Sequence, residues 1–273
     1  MPPEVFIPDH ADVRRAQAIV GGYTRTRLEI IAARPGNPTG AAVRQFDGAV
    51  ALRAPGFPDS PFFNHAYGFC DDHIAHIPAL IDWYAAGAGG VFDIAPGRPV
   101  AKMARLLADA GYAPTSFHAT TAGPVDLPRE PAAGVEIDRV GDEEALEAFS
   151  EVYHRGWGIT GARVPMTSWL TSPGWSLYLA TIQGRPAGAA ILYVAGEDAY
   201  LADGAVDPDF RRRGVHRAML DRRCDDARAA GATRIYSGAD VLSASYRNQM
   251  RKGLVLLYTE TIVASRTPSG RRP

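Results

Sequence analysis

The chain has 273 residues, 46% hydrophobic and 22% charged, with 29 Lys and Arg against 30 Asp and Glu for a formal net charge of −1. That length holds one large domain or two of ordinary size, and the apolar content is enough for substantial cores. The balanced charge argues against a nucleic-acid partner, and no apolar run reaches the length of a membrane span. No charged-then-apolar leader opens the chain, so a cytoplasmic protein that engages no membrane is expected.

In the first half, Asn64-His-Ala-Tyr-Gly-Phe-Cys-Asp-Asp-His73 is a polar stretch whose Asn64, His65 and Tyr67 are candidates for lining a cleft, though each is more readily structural. Cys70, Asp71, Asp72, His73 and His76 are residue types that bind zinc. Pro78, suited to a helix's first turn, places that helix after them, and no second ligand cluster is evident, so no metal is expected. Val100, Met103, Leu107 and Ala110 share one face of a helix begun by Pro99 and ended by Gly111, and an alternating strand covers Ala113–Thr121. The two cysteines, Cys70 and Cys224, lack motif spacing and are expected as free, buried thiols.

Residues 123–134 hold three prolines and two glycines without periodicity, as a linker or crossing loop would. They suggest a first domain over 1–132, a second over 133–264 and a disordered tail over 265–273. In the second half, Val135–Val140 alternates as a strand, and Gly141-Asp-Glu-Glu opens a helix to about His154 with acids in its first turn. An irregular stretch covers Gly156–Gly174. Strands follow at Trp175–Ile182, Pro186–Val194 and Ala199–Val206. The helix Val215–Ala230 sets Val215, Met219, Leu220, Cys224 and Ala227 on one face, with Gly231 as its terminating glycine. Thr233–Ser237 is a strand, Ser243–Lys252 a short helix and Val255–Ile262 a final strand. The order helix, glycine, strand occurs in both halves, at Leu106…Gly111…Phe117 and Arg228…Gly231…Tyr236, a hint of duplication.

The most informative stretch is Asp207-Pro-Asp-Phe-Arg-Arg-Arg-Gly-Val-His216. It joins a strand to a helix through a basic loop with one glycine. Gly214 lets backbone approach a ligand without a Cβ in the way, and the positive end of the helix dipole lies behind it. Arginines at 211–213, 217, 222 and 223 form a local patch suited to one anionic group such as a pyrophosphate, not a duplex-long stripe. A solvated arginine run at a helix start is the bland alternative, but arginine there opposes the dipole.

Arg211-Arg-Arg-Gly-Val-His216 resembles the acyl-CoA loop of the GNAT superfamily of N-acyltransferases, Gln/Arg-x-x-Gly-x-Gly/Ala, with His216 departing from the small final residue. The approach Ala205-Val206-Asp-Pro-Asp-Phe, and downstream Ser243-Ala-Ser-Tyr-Arg-Asn248, Gly253-Leu and Tyr258-Thr, are similar to the family over about residues 135–262. The resemblance implies a mixed α/β (α+β) fold of two GNAT-like domains, each a mostly antiparallel twisted sheet flanked by helices, the first copy degenerate and without cofactor binding. It implies acetyl-CoA or another acyl-CoA as co-substrate. The backbone of 211–217 (Arg211, Arg212, Arg213, Gly214, Val215, His216, Arg217) would hold the diphosphate, with the His216 ring turned outward or the loop slightly opened. Ala205 and Val206 would pair with the pantetheine arm, and Ser245 and Asn248 would make polar contacts to it, with helix capping and turn chemistry as their plain alternative.

The implied reaction is direct attack of a neutral amine on the thioester, with strand amides stabilising the oxyanion. Asp203 is the candidate base, placed by alternation on the face opposite Ala202 and Gly204; a substrate-ammonium anchor or a solvated strand carboxylate, taken together, is the equal alternative. The family's tyrosine acid falls on Gln249 here, which leaves Tyr246, Ser245 or water, with Tyr246 favoured among the side chains. The acceptor is expected to be a small-molecule amine, and the protein a monomer or homodimer. Competing readings are a same-fold transferase using a donor such as aminoacyl-tRNA, which the neutral charge disfavours, and a non-catalytic acyl-CoA-binding module.

Overall fold

The computed structural model describes residues 9–58, 60, 62–86, 89–129, 132–161 and 163–265. In chain order the elements are α1 (His10–Ala32), β1 (Ala42–Phe46), β2 (Ala49–Arg53), β3 (His65–Tyr67), α2 (Ile77–Ala85), β4 (Val91–Ile94), α3 (Ala101–Asp109), β5 (Tyr112–Pro124), β6 (Glu136–Arg139), α4 (Glu143–Trp157), β7 (Trp175–Ile182), β8 (Arg185–Ala195), β9 (Asp198–Val206), α5 (Val215–Ala229), β10 (Arg234–Asp240), α6 (Ala244–Lys252) and β11 (Val255–Ser265). Contacts divide the chain into two compact units, one of residues up to Thr120 together with those from Leu257, the other Thr121–Leu256. The last strand, which the sequence reading assigns to the second half, therefore belongs from Leu257 onward to the first unit. Ser265 closes β11, and the rest of the expected tail, 266–273, lies outside the described residues.

In the first unit β1, β2 and β3 form an antiparallel meander, β3 and β4 are parallel with α2 between them, and β11 pairs antiparallel with β4. Phe46 pairs with Ala49 across Asp47-Gly48, a two-residue turn that needs a left-handed glycine, met by Gly48 at φ 70°. Asp9 caps α1, accepting from the amides of Ala11 and Asp12, while its own N–H donates to the Asp12 carboxylate. The core joins Ala66, Phe69, Leu80, Tyr84, Phe92, Met103 and Val263.

The second unit repeats this pattern. Strands β6, β7, β8 and β9 are successively antiparallel, and β9 and β10 are parallel with α5 between them. Helices α4 and α5 pack on β8 and β9. The face expected on α5 is the one buried: Val215, Met219, Leu220, Cys224 and Ala227. Gly188 of β8 permits the close approach of α5, since a Cβ there would lie 2.6 Å from Val215 Cγ1. Gly231 follows α5 at φ 90°, a value that favours glycine. Within Gly156–Gly174, expected to be irregular, α4 continues through Trp157 and a 3-10 turn occupies Thr167–Trp169.

Candidate active site

The site is built around the end of β9. Ile191 pairs with Ala202 and Ala189 with Ala205, so Asp203 and Gly204 stand opposite Ala190 alone. This is a β-bulge, with Asp203 in the left-handed region at φ 46°. Strict alternation, the basis for placing Asp203 opposite Ala202 and Gly204, is interrupted at this residue. On the other edge of β9, parallel pairing with β10 runs from Asp198↔Arg234 to Leu201↔Ser237 and ends there. The backbone of Ala205 and Val206 lies beyond that divergence.

Arg223 braces the bulge. It is buried, and Nη1 donates to the carbonyls of Ile191 and Ala202, each at 2.9 Å, while Nε donates to Met219 O at 3.0 Å. Ile191 and Ala202 are the last regular pair before the bulge. Arg222 is bound to Asp226 and to Ile137 O. These two arginines therefore brace the fold and do not belong to an anion-binding patch, a correction to the sequence reading.

Asp203 accepts a hydrogen bond from Tyr153 Oη of α4 at 2.9 Å, a partner the sequence reading missed. Its helical position, four after Phe149, reads as core. Gly156, one turn on, brings α4 against β9: a Cβ there would lie 2.8 Å from Ala205 Cβ and 3.1 Å from Val206 N. Arg155 pairs with the buried Asp207 at 3.0 Å and with Asp209 at 3.1 Å, tying α4 to the turn after β9.

The basic loop runs from the 3-10 turn Pro208–Phe210 to Gly214, which holds φ 81° ahead of α5. The first helical bond is donated by Ala218 to Gly214 O, so the amides of Val215, His216 and Arg217 precede the helical ladder, as at any helix start. Val215 buries its side chain and has only backbone to offer. Arg211, Arg212 and Arg213 are exposed. Arg211 donates to Gly156 O at 3.2 Å, and the Arg213 guanidinium lies 5.4 Å from the Phe210 ring centre. Arg217 runs beside the loop, its Nη2 3.9 Å from where a Gly214 Cβ would stand. Glycine, helix start and cationic surface together are the chemistry a diphosphate requires.

The His216 ring does not point outward. Nε2 lies 3.2 Å from Ser245 Oγ and Nδ1 lies 3.4 Å from Asn248 Nδ2. Loss of hydration, with a smaller push from Arg223, lowers its pKa to about 4, so the ring is neutral at physiological pH. Gln249, at the place of the family's tyrosine, is buried: Thr121 Oγ1 donates to it at 2.8 Å, and its amide donates to Ser237 Oγ at 3.0 Å and Ser245 Oγ at 3.3 Å. Tyr246 sits in the first turn of α6, its N–H donating to the capping Ser243 hydroxyl at 3.1 Å.

In the first unit, Asn64 is a structural clamp, accepting from Ala54 N and donating to Phe57 O and Ser60 O. His65 pairs with Asp93 and stacks on Tyr67. The stretch 71–76 is a 3-10 helix leading directly into α2, not a loop ahead of it. His73 accepts from Cys70 N and meets Asp47 O, and among the described residues no three such side chains are placed to hold a metal ion. Both cysteines are buried and unbridged.

Residues 143–247 match the model of the acetyltransferase (GNAT) family. None of the curated proteins matches the chain. Among solved structures it is similar to a GCN5-related N-acetyltransferase from Kribbella flavida, at 17% identity and TM-score 0.65 over 96% of this chain and 97% of that one. It is also similar to a GCN5-related N-acetyltransferase from Sphaerobacter thermophilus, at 16% identity and TM-score 0.56 over 94% and 93%. A functionally unknown conserved protein from Staphylococcus epidermidis matches at 12% identity and TM-score 0.57 over 83% and 94%. At these identities the structural likeness establishes the fold. The family model falls on the bulged strand, glycine loop and helix just described, and marks residues 143–247 as similar to a GNAT acetyltransferase domain.

Proposed function

We propose that this protein transfers an acetyl group from acetyl-CoA to the amine of a small molecule. The observation that carries the reading is the juxtaposition, in one β9–loop–α5 stretch, of a bulged strand that parts from β10 after Leu201 and a left-handed glycine opening a helix. The amides of 215–217 and the charges of Arg211, Arg212, Arg213 and Arg217 hold the diphosphate. The edge of Ala205 and Val206 pairs with the pantetheine arm, and Ser245 and Asn248 contact it from α6. Asp203 takes the proton of the attacking amine at its carboxylate, held by Tyr153 Oη. The amide of Gln249 has no acidic proton to give, so Tyr246 on the same helix is the side chain assigned to protonate the leaving thiolate. The carboxylate at the bulge and the net charge of −1 support a small amine acceptor over a polyanion.

The first unit, which the sequence places over residues 1–132, is in this reading a degenerate copy. It keeps the meander and the parallel pair, but β3 is followed by Gly68–His76 in place of an arginine loop.

Calorimetry with coenzyme A tests the assignment. Wild type should bind, and Gly214→Glu and Arg213→Glu should each lose affinity at least tenfold while retaining the wild-type circular dichroism spectrum. Undiminished affinity in both variants would remove the loop from the site.

A further inference from the structure

One side chain spans the gap between β9 and α6. Gly204 lies beyond the last β9–β10 pair, and a Cβ there would stand 3.3 Å from His216 Nε2 and 3.5 Å from His216 Cδ2. On its other side the same ring reaches α6 at Ser245 and Asn248, at 3.2 and 3.4 Å. The Asn248 amide nitrogen can only donate, so Nδ1 accepts and the proton sits on Nε2, directed at Ser245 Oγ. Ser245 is fixed in turn by Gln249, and Gln249 by Thr121 and Ser237. The catch on the α6 side is therefore rigid, whereas His216 is the second residue of α5, two positions after the left-handed Gly214.

We propose that His216 is a displaceable latch across the cofactor groove, its imidazole occupying the space between the β9 edge and α6 that a pantetheine arm needs, so that coenzyme A binds only with the ring swung out. The proposal rests on the cofactor groove assigned under Proposed function. It gives the departure from a small residue at this position a role: His216 sets the affinity for the donor and the rate at which it enters. Being neutral, the ring breaks no ion pair when it leaves. What opposes opening is two hydrogen bonds and the packing on Gly204, on the order of a tenfold penalty in the dissociation constant. A binding-competent state populated only in part lowers apparent affinity by that fraction, and removing the ring removes the fraction.

The test compares wild type and His216→Ala for coenzyme A binding by calorimetry and stopped-flow. His216→Ala is expected to bind about tenfold more tightly, with faster association. Equal or weaker binding by a folded variant overturns the latch while leaving the site assignment standing. If neither protein binds coenzyme A, the site assignment falls and the latch with it. A second measurement needs no variant: in wild type with 13C-labelled histidine, the His216 Cε1 signal should shift on saturation with coenzyme A and titrate nearer the ordinary histidine range. An unmoved signal in the saturated protein overturns the proposal.

Discussion

At the scale of single residues, the site separates roles that the sequence leaves merged. Asp203 and His216 lie on β9 and at the start of α5, close to the same bulge, yet one is tied to Tyr153 and the other to α6. Asp203→Asn keeps the shape and removes the proton acceptor, so kcat is expected to fall about a hundredfold or more while the coenzyme A dissociation constant changes less than twofold. Steady-state kinetics beside calorimetry checks this, and an unchanged kcat would dismiss Asp203 as base. His216 also predicts a pH dependence of stability. Its folded pKa of about 4 lies below the ordinary value of 6.5, so the unfolded chain binds the proton first on acidification. The contribution is fully present above about pH 6.5 and is lost progressively as pH falls toward 4. Urea melts at pH 7.5 and 5 should show a larger loss for wild type than for His216→Asn; equal losses would contradict the burial of the ring.

Among the elements, two contacts decide how the bulge is held. Arg223 reaches from α5 to the two carbonyls that precede it. Arg223→Met keeps the aliphatic bulk but leaves those carbonyls without their donor, which is expected to destabilise by about 2–4 kcal/mol and to reduce kcat more than coenzyme A affinity. Denaturation melts and kinetics together check it. Gly156 sets the approach of α4. Helix propensity alone would favour alanine by about 1 kcal/mol. The new methyl would, however, meet Ala205 Cβ at 2.8 Å and the Val206 backbone at 3.1 Å. Overpacking of about 1–3 kcal/mol therefore wins, and Gly156→Ala should lower the urea midpoint. The same scale shows why α1 escaped the sequence reading. Its buried stripe includes Thr24 and Arg27, which blur the apolar period: Thr24 Oγ1 donates to Val20 O, and the Arg27 guanidinium lies 4.7 Å from the Phe63 ring centre. The β1–β2 hairpin is announced by Asp47-Gly48 between Phe46 and the apolar run Ala49–Leu52, a turn signal the sequence reading does not use.

For the molecule as a whole, the main surprise is where the chain ends up. From Leu257 it rejoins the first unit, where Val263 pairs with Phe92 and enters the core beside it. A chain ending at Leu256 is therefore expected to lose protection in β4 and around Phe92, seen by amide hydrogen exchange, while β7 and β8 stay protected. Equal protection of β4 in the shortened chain would contradict the pairing. Read without the fold, β11 is simply the last strand of its own half, because pairing partners far apart in sequence leave no local mark. What the sequence by itself determined was contiguous and strongly patterned: the strands β7 to β9, the glycine-opened α5, its buried face and the family resemblance, since each depends on residues within one or two turns of each other. Tertiary structure alone decided the bulge at Asp203, the brace from Arg223, the inward ring of His216 and the return of β11, because each arises from backbone or side chains meeting across elements whose spacing along the chain carries no period.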